Sequence, residues 1–101
     1  MPETSRELML DLGADDAFSA AETAADEVGR SVSSSATTRT LVFRIDPYQG
    51  AAALVLNSVK MRVSVLSEER GSRMAITASF TGLVRGKHLC QQAIDRFITA
   101  M

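Results

Sequence analysis

Val59-Lys60-Met61-Arg62-Val63-Ser64-Val65-Leu66, Ser67-Glu68-Glu69-Arg70-Gly71-Ser72 and Arg73-Met74-Ala75-Ile76-Thr77-Ala78-Ser79-Phe80 together form the stretch that decides the fold. Val59, Met61, Val63 and Val65 alternate with Lys60, Arg62 and Ser64, and Met74, Ile76, Ala78 and Phe80 alternate with Ala75, Thr77 and Ser79. Each arm thus has a period of two, and the polar, glycine-containing segment between them reads as the turn of an antiparallel hairpin with one wet face. Pairing Leu66 with Arg73 sets Val65 opposite Met74, Val63 opposite Ile76, Met61 opposite Ala78 and Val59 opposite Phe80. A slip of one residue would set apolar side chains against polar ones along the whole length, so registers of that parity are disfavoured.

Working outward toward the N-terminus, Leu8, Leu10 and Leu12 alternate with Glu7, Met9 and Asp11, a short half-buried strand that Gly13 breaks. Residues 14–28 are rich in Ala and Glu and open with Asp15 and Asp16, whose charges suit a helix start through both capping and the dipole. Phe18, Ala21, Ala25 and Val28 recur at helical spacing, so a thin, mostly alanine stripe faces inward with Phe18 as its anchor. Gly29 is placed to end this helix in a left-handed cap. Residues 30–35 offer only Val32 as an apolar anchor and read as a strand, followed by a turn at Ala36-Thr37-Thr38. Residues 38–46 are β-branched and aromatic, with Leu41, Phe43 and Ile45 on one face and Val42 and Arg44 on the other, and Asp46-Pro47 stops the strand.

Residues 50–56 form an apolar run that periodicity alone leaves open between a short helix, a strand and a flap. Beyond the hairpin, Gly82 and Gly86 bracket a flexible connection. Residues 87–101 then read as an amphipathic helix: Cys90, Ile94, Phe97 and Met101 form its stripe, widened by Leu89, Ala93 and Ile98, while Gln91, Gln92, Asp95 and Arg96 face water. The expected architecture is a single α+β domain over residues 1–101. It is a two-layer sandwich in which an antiparallel sheet of four to five strands carries both helices on one face, the pairing order of the strands remaining open.

A chain of 101 residues with 46% apolar and 23% charged residues is a folded globule by composition, large enough to bury one core. Its one cysteine, Cys90, excludes an internal disulfide, and no apolar run approaches the ~18 residues of a membrane span. The polar opening residues read as no export signal, so the expected compartment is the cytoplasm. The net charge of −1 hides an asymmetry: residues 1–46 hold nine acids and four bases, residues 47–101 three acids and seven bases. Such a dipolar molecule suits association with its own kind, or a basic surface presented to an anion.

Phe18 with its Ala-rich helix, the helix-ending Val28-Gly29-Arg30, the hairpin with Glu69-Arg70-Gly71-Ser72 and the closing helix with Phe97 resemble small bacterial domains of unknown function. Their outline is that of a reduced helix-grip or TATA-binding-protein-like fold. The full-size helix-grip families bind lipids, polyketides and hormones between sheet and long C-terminal helix. They have extra strands for which this chain lacks the length, so the resemblance implies a shallow pocket at best and transfers no catalytic residue.

No catalytic constellation is found. His88 and Cys90 are two apart and point in different directions on a helix, so they make neither a nucleophile–base pair nor a metal site, and no cofactor is implied. Three surfaces remain as candidates. Arg44, Lys60, Arg62 and Arg73 fall on the outward phase of their strands, and Arg85 and Lys87 sit near the start of the last helix, so these six cations are the anion-binding candidates. Nucleic acid is not the expected partner, because Phe43 and Phe80 point inward and only Tyr48, in a loop, is left for base stacking. The same outward face is interrupted by Val42, Leu66 and Ala75, which suits a homodimer or another protein partner. Finally, Tyr48, Leu54, Leu56, Met61, Phe80, Phe97 and Met101 are the candidate lining of a pocket for a small apolar ligand between sheet and last helix. The expectation is therefore a non-enzymatic binding or interaction module that self-associates through its open sheet face, with a carrier or sensor of an apolar ligand as the alternative.

Overall fold

The computed structural model describes residues 3–46, 58–80 and 86–101. Along these residues run β1 (Glu3–Leu10), α1 (Ala14–Val28), β2 (Arg30–Ser35), β3 (Thr40–Ile45), β4 (Val59–Ser67), β5 (Ser72–Ser79) and α2 (Gly86–Ala100). The strands form one antiparallel sheet in the order β1-β5-β4-β3-β2, so the first strand joins the last and lies at one edge. Both helices pack on the same face, giving the two-layer α+β sandwich. The apolar run at residues 50–56, the Asn57 turn position and the connection between Gly82 and Gly86 lie outside the described residues.

The β4–β5 hairpin has the register that alternation dictates: Leu66 opposes Arg73, Val65 opposes Met74, Val63 opposes Ile76 and Met61 opposes Ala78. The ladder runs from Ser67 and Ser72 to Lys60 and Ser79, so the expected Val59–Phe80 pair lies just past its last rung. Val59, Met61, Val63, Met74, Ile76 and Ala78 are fully buried against the helices. Each such aliphatic or methionine side chain larger than alanine contributes about 1.5–3 kcal/mol by leaving water, so the hairpin supplies much of the core. Gly71 makes the turn possible with φ of 88°, a left-handed conformation that favours glycine, and the Glu68 N–H donates to its carbonyl at 3.1 Å.

Helix α1 has 15 residues, so it is about 22 Å long, close to the roughly 19 Å that separates the outer strands of a five-stranded sheet. It thereby carries the chain from β1 at one edge to β2 at the other. Ala17, Ala21, Ala24 and Ala25 are fully buried under it, and these small side chains let its backbone approach the sheet closely. Two expectations about its ends need correction. Asp15 and Asp16 lie in the first turn, where their charge complements the dipole, but Gly13 is the N-cap and no side chain caps it; Asp15 instead pairs with Arg39 at 3.0 Å. Gly29 is extended, with φ −127° and ψ −173°, and not left-handed. The chain passes straight into β2, and glycine is needed there because a Cβ would lie 2.7 Å from Phe43 Cδ2 and 2.8 Å from the Arg44 carbonyl oxygen.

The edge strands differ most from expectation. β1 begins at Glu3 and ends at Leu10, leaving Leu12 outside the strand and 45% exposed. Its inward positions include Thr4 opposite Ala78 and Arg6 opposite Ile76, polar residues that hide the alternation. Arg6 reaches from this face to Asp95 of α2, 2.7 Å away. At the other edge, β2 and β3 shift register between Arg30 and Ser33, and Ser31 takes φ of 56°. This bulge bends a serine-rich edge and so discourages a further strand from adding there. β3 starts at Thr40, later than its composition suggests, because Arg39 with φ of 50° belongs to the preceding turn.

Candidate functional site

Because side chains alternate along each strand, the face away from the helices is built from aligned rows. The first row runs Glu3, Ser79, Lys60, Arg44 and Arg30, from β1 through β5, β4 and β3 to β2. The second runs Ser5, Thr77, Arg62, Val42 and Ser33, with the Ser5 and Thr77 hydroxyls 3.4 Å apart. The third is Glu7, Ala75, Ser64, Thr40 and Ser35, and the fourth is Met9, Arg73 and Leu66. Neither helix covers these residues, since both pack on the opposite face.

The outward cations are not one cluster. Arg44, Lys60 and Arg62 are exposed neighbours in the first two rows, and the Arg44 guanidinium donates to Ser58 Oγ at 3.2 Å. Among the described residues neither Lys60 nor Arg62 has an ion-pair partner. Arg73 lies three rows away, about 20 Å along the strands. Its Nε is 2.9 Å from Glu68 Oε1 and 3.8 Å from Glu7 Oε2, close ion pairs without an aligned hydrogen bond from that nitrogen. Its charge is therefore neutralised locally, and Arg44, Lys60 and Arg62 carry the positive potential. A shallow depression of about 400 Å³ lies between Glu3, Lys60, Arg62, Thr77 and Ser79. Arg30 joins the same row but holds Asp46 at 3.0 Å, and that hydrogen bond raises the pKa of its guanidinium. Arg85 lies outside the described residues, and Lys87 belongs to the first turn of α2.

The apolar-pocket candidates separate as well. Met61 and Phe97 are fully buried and Phe80 nearly so, all within the single core cluster, where the Phe97 ring packs on Phe43 with centroids 5.3 Å apart. They are core residues because the alanine stripe of α1 and the broad stripe of α2 close on the sheet at packing distance. Met101 follows the end of α2 and is 38% exposed, one residue past the last helical position. Tyr48, Leu54 and Leu56 lie outside the described residues. On the helix side, a cleft of about 630 Å³ opens between the end of α1, the end of β3 and α2. Val28, Ile45, Leu89 and Ala93 give it apolar walls, with Asp46 and Arg96 at its rim, and Arg96 donates to the Asp46 carbonyl at 2.9 Å.

Cys90 is fully buried and His88 exposed, so the pair does not act together. Burial, and then the negative charge of Glu3, push the Cys90 thiol up from its ordinary range and keep it protonated. Among the described residues no three His, Cys, Asp or Glu side chains gather as metal ligands, and no helix is long and apolar enough to cross a membrane. Sequence reasoning missed two members of the outer face. Glu3 was hidden because the strand signal is broken by Thr4 and Arg6; Met9 lies on the wet side that alternation assigned it, 64% exposed, but was not singled out as a site residue. Comparison with protein-family models finds no match, and a search of curated proteins finds none.

Proposed function

We propose that the chain is a non-catalytic interaction module that associates with a second copy of itself through the outer face of its sheet. The observation that carries this reading is the placement of Met9 and Leu66, 64% and 54% exposed, on that face beside cations, hydroxyls and carboxylates. Large apolar side chains exposed on a sheet face that neither helix covers favour association, and the surrounding charges give it orientation. The β2 bulge works against growth at that edge, which leaves the face as the better surface.

A second reading, a carrier of a small apolar ligand, is favoured by the cleft walled by Val28, Ile45, Leu89 and Ala93. The resemblance to a reduced helix-grip fold is in keeping with it, since α2 lies across the sheet beside this cleft. Size-exclusion chromatography with light scattering across a concentration series, followed by native mass spectrometry, separates the two. A concentration-dependent dimer without an adduct supports association, whereas a monomer carrying a co-purified small molecule supports the carrier and overturns the first reading.

A further inference from the structure

We infer that the second copy docks with a two-fold axis running along β5, so that β1 of each copy lies over β4 of the other. The inference rests on the self-association reading and adds its geometry. The outer face is arranged for it, because β5 has β1 on one side and β4 on the other, and the two flanking strands are complementary in their end rows, Glu3 against Lys60 and Met9 against Leu66, with Ser5–Arg62 and Glu7–Ser64 between them. Rotation about β5 sets Glu3 over the partner's Lys60, Ser5 over the partner's Arg62 and Met9 over the partner's Leu66, each contact occurring twice by symmetry. The residues on the axis are Ser79, Thr77 and Ala75, small and uncharged, followed by Arg73, which Glu7 and Glu68 already neutralise.

Other axes lose one or both of these contacts. An axis along β4 would bring Lys60 and Arg62 onto their own copies, one along β3 would do the same for Arg44, and one along β1 would oppose Glu3 and Glu7 to themselves. An axis across the strands would lay Lys60 over Leu66 and Glu3 over Met9, leaving both ion pairs unmade. Only the β5 axis both opposes unlike charges and buries the two most exposed apolar side chains of this face. The strip formed by β1, β5 and β4 measures roughly 14 by 27 Å. That footprint, near 400 Å² per copy, is below the roughly 800 Å² per partner of a standard interface, so the dimer is weak and concentration-dependent.

Charge exchange between copies tests the geometry. Glu3→Lys places two lysine pairs across the interface and Lys60→Glu two glutamate pairs, so each variant alone dimerises about tenfold more weakly. Mixed in equal amounts, the two restore both attractive contacts, and the heterodimer exceeds the statistical half of all dimers. Native mass spectrometry with one variant ¹⁵N-labelled counts the species, and light scattering gives the dissociation constants. Both positions are exposed, and a Leu66→Ser variant, which changes no charge, should also weaken the dimer several-fold. Single variants that dimerise as tightly as the parent, or a statistical mixture of dimers, would overturn the β5 axis while leaving self-association standing. A parent chain that stays monomeric at every concentration would overturn both.

Discussion

Replacing Gly71 by alanine puts the register of β1 and the hairpin turn to one test. At φ of 88° an L side chain is strained, which costs about 1–2 kcal/mol. The added Cβ would also overlap the Leu10 carbonyl oxygen, a backbone atom that moves only if the end of β1 moves with it. Leu10 pairs with Ser72 in the last rung of the β1–β5 ladder, and disturbing one or two of those hydrogen bonds costs about 1 kcal/mol each. The sum is about 3 kcal/mol, a large share of the roughly 5–15 kcal/mol that holds a domain folded. With a urea m-value of about 1–1.5 kcal/mol/M, the low end for small domains, the midpoint falls by about 2 M or more. Gly13→Ala is the internal control. No atom lies within 4 Å of its added Cβ and its φ is −62°, so the lower unfolded-state entropy and the poorer N-cap nearly cancel, within about 0.5 kcal/mol. Urea unfolding of both variants, followed by circular dichroism, is the assay. A Gly71→Ala midpoint indistinguishable from that of Gly13→Ala refutes the placement of β1 against the turn.

Three further outcomes follow from the same packing. Gly29→Ala, whose Cβ would lie 2.7 Å from Phe43 Cδ2, should destabilise by about 1–3 kcal/mol in the same denaturation experiment; a neutral result would mean that α1 sits farther from β3. Phe97→Ala removes a fully buried ring packed on Phe43 and should cost about 3–5 kcal/mol, whereas a loss under 1 kcal/mol would point to a roomy interior and favour the carrier reading. Burial raises the Cys90 thiol pKa above its ordinary value of 9.0, so the folded state retains a proton that the unfolded state releases. Its contribution to stability is therefore complete below pH 9 and declines as pH rises from there through the higher folded-state pKa. Native protein should resist iodoacetamide at pH 8 and react on unfolding, and Cys90→Ala should flatten the alkaline decline; rapid labelling of the native chain would place the thiol outside the core.

Much of the candidate surface is legible in the chain because strands alternate whatever they pack against. Val42, Arg44, Lys60, Arg62, Leu66 and Arg73 all fall on the outward phase that their period of two assigns them. Their grouping is not local information. Arg73 is separated from Lys60 by the length of the hairpin and drawn to Glu7 and Glu68, and the Glu7 contact exists only because β1 joins the sheet beside β5. The described ligand-pocket candidates Met61, Phe80 and Phe97 were ambiguous in the chain for a different reason. An inward methionine or phenylalanine has the same sequence pattern whether it lines a void or fills the core, and the close approach of α1 on its alanines fills it with Met61, Phe80 and Phe97.

By itself the sequence determined the α+β class, the hairpin register, the bounds of α1 and most of the inward positions of both helices, Met101 excepted, because each depends on periodicity over neighbouring residues. The tertiary structure alone decided that β1 lies beside β5, that Arg6 turns inward to meet Asp95, and that Gly29 is kept for close contact with Phe43 and the Arg44 carbonyl. Those features join residues far apart in the chain, and no local pattern carries the shape of a partner that only folding brings near.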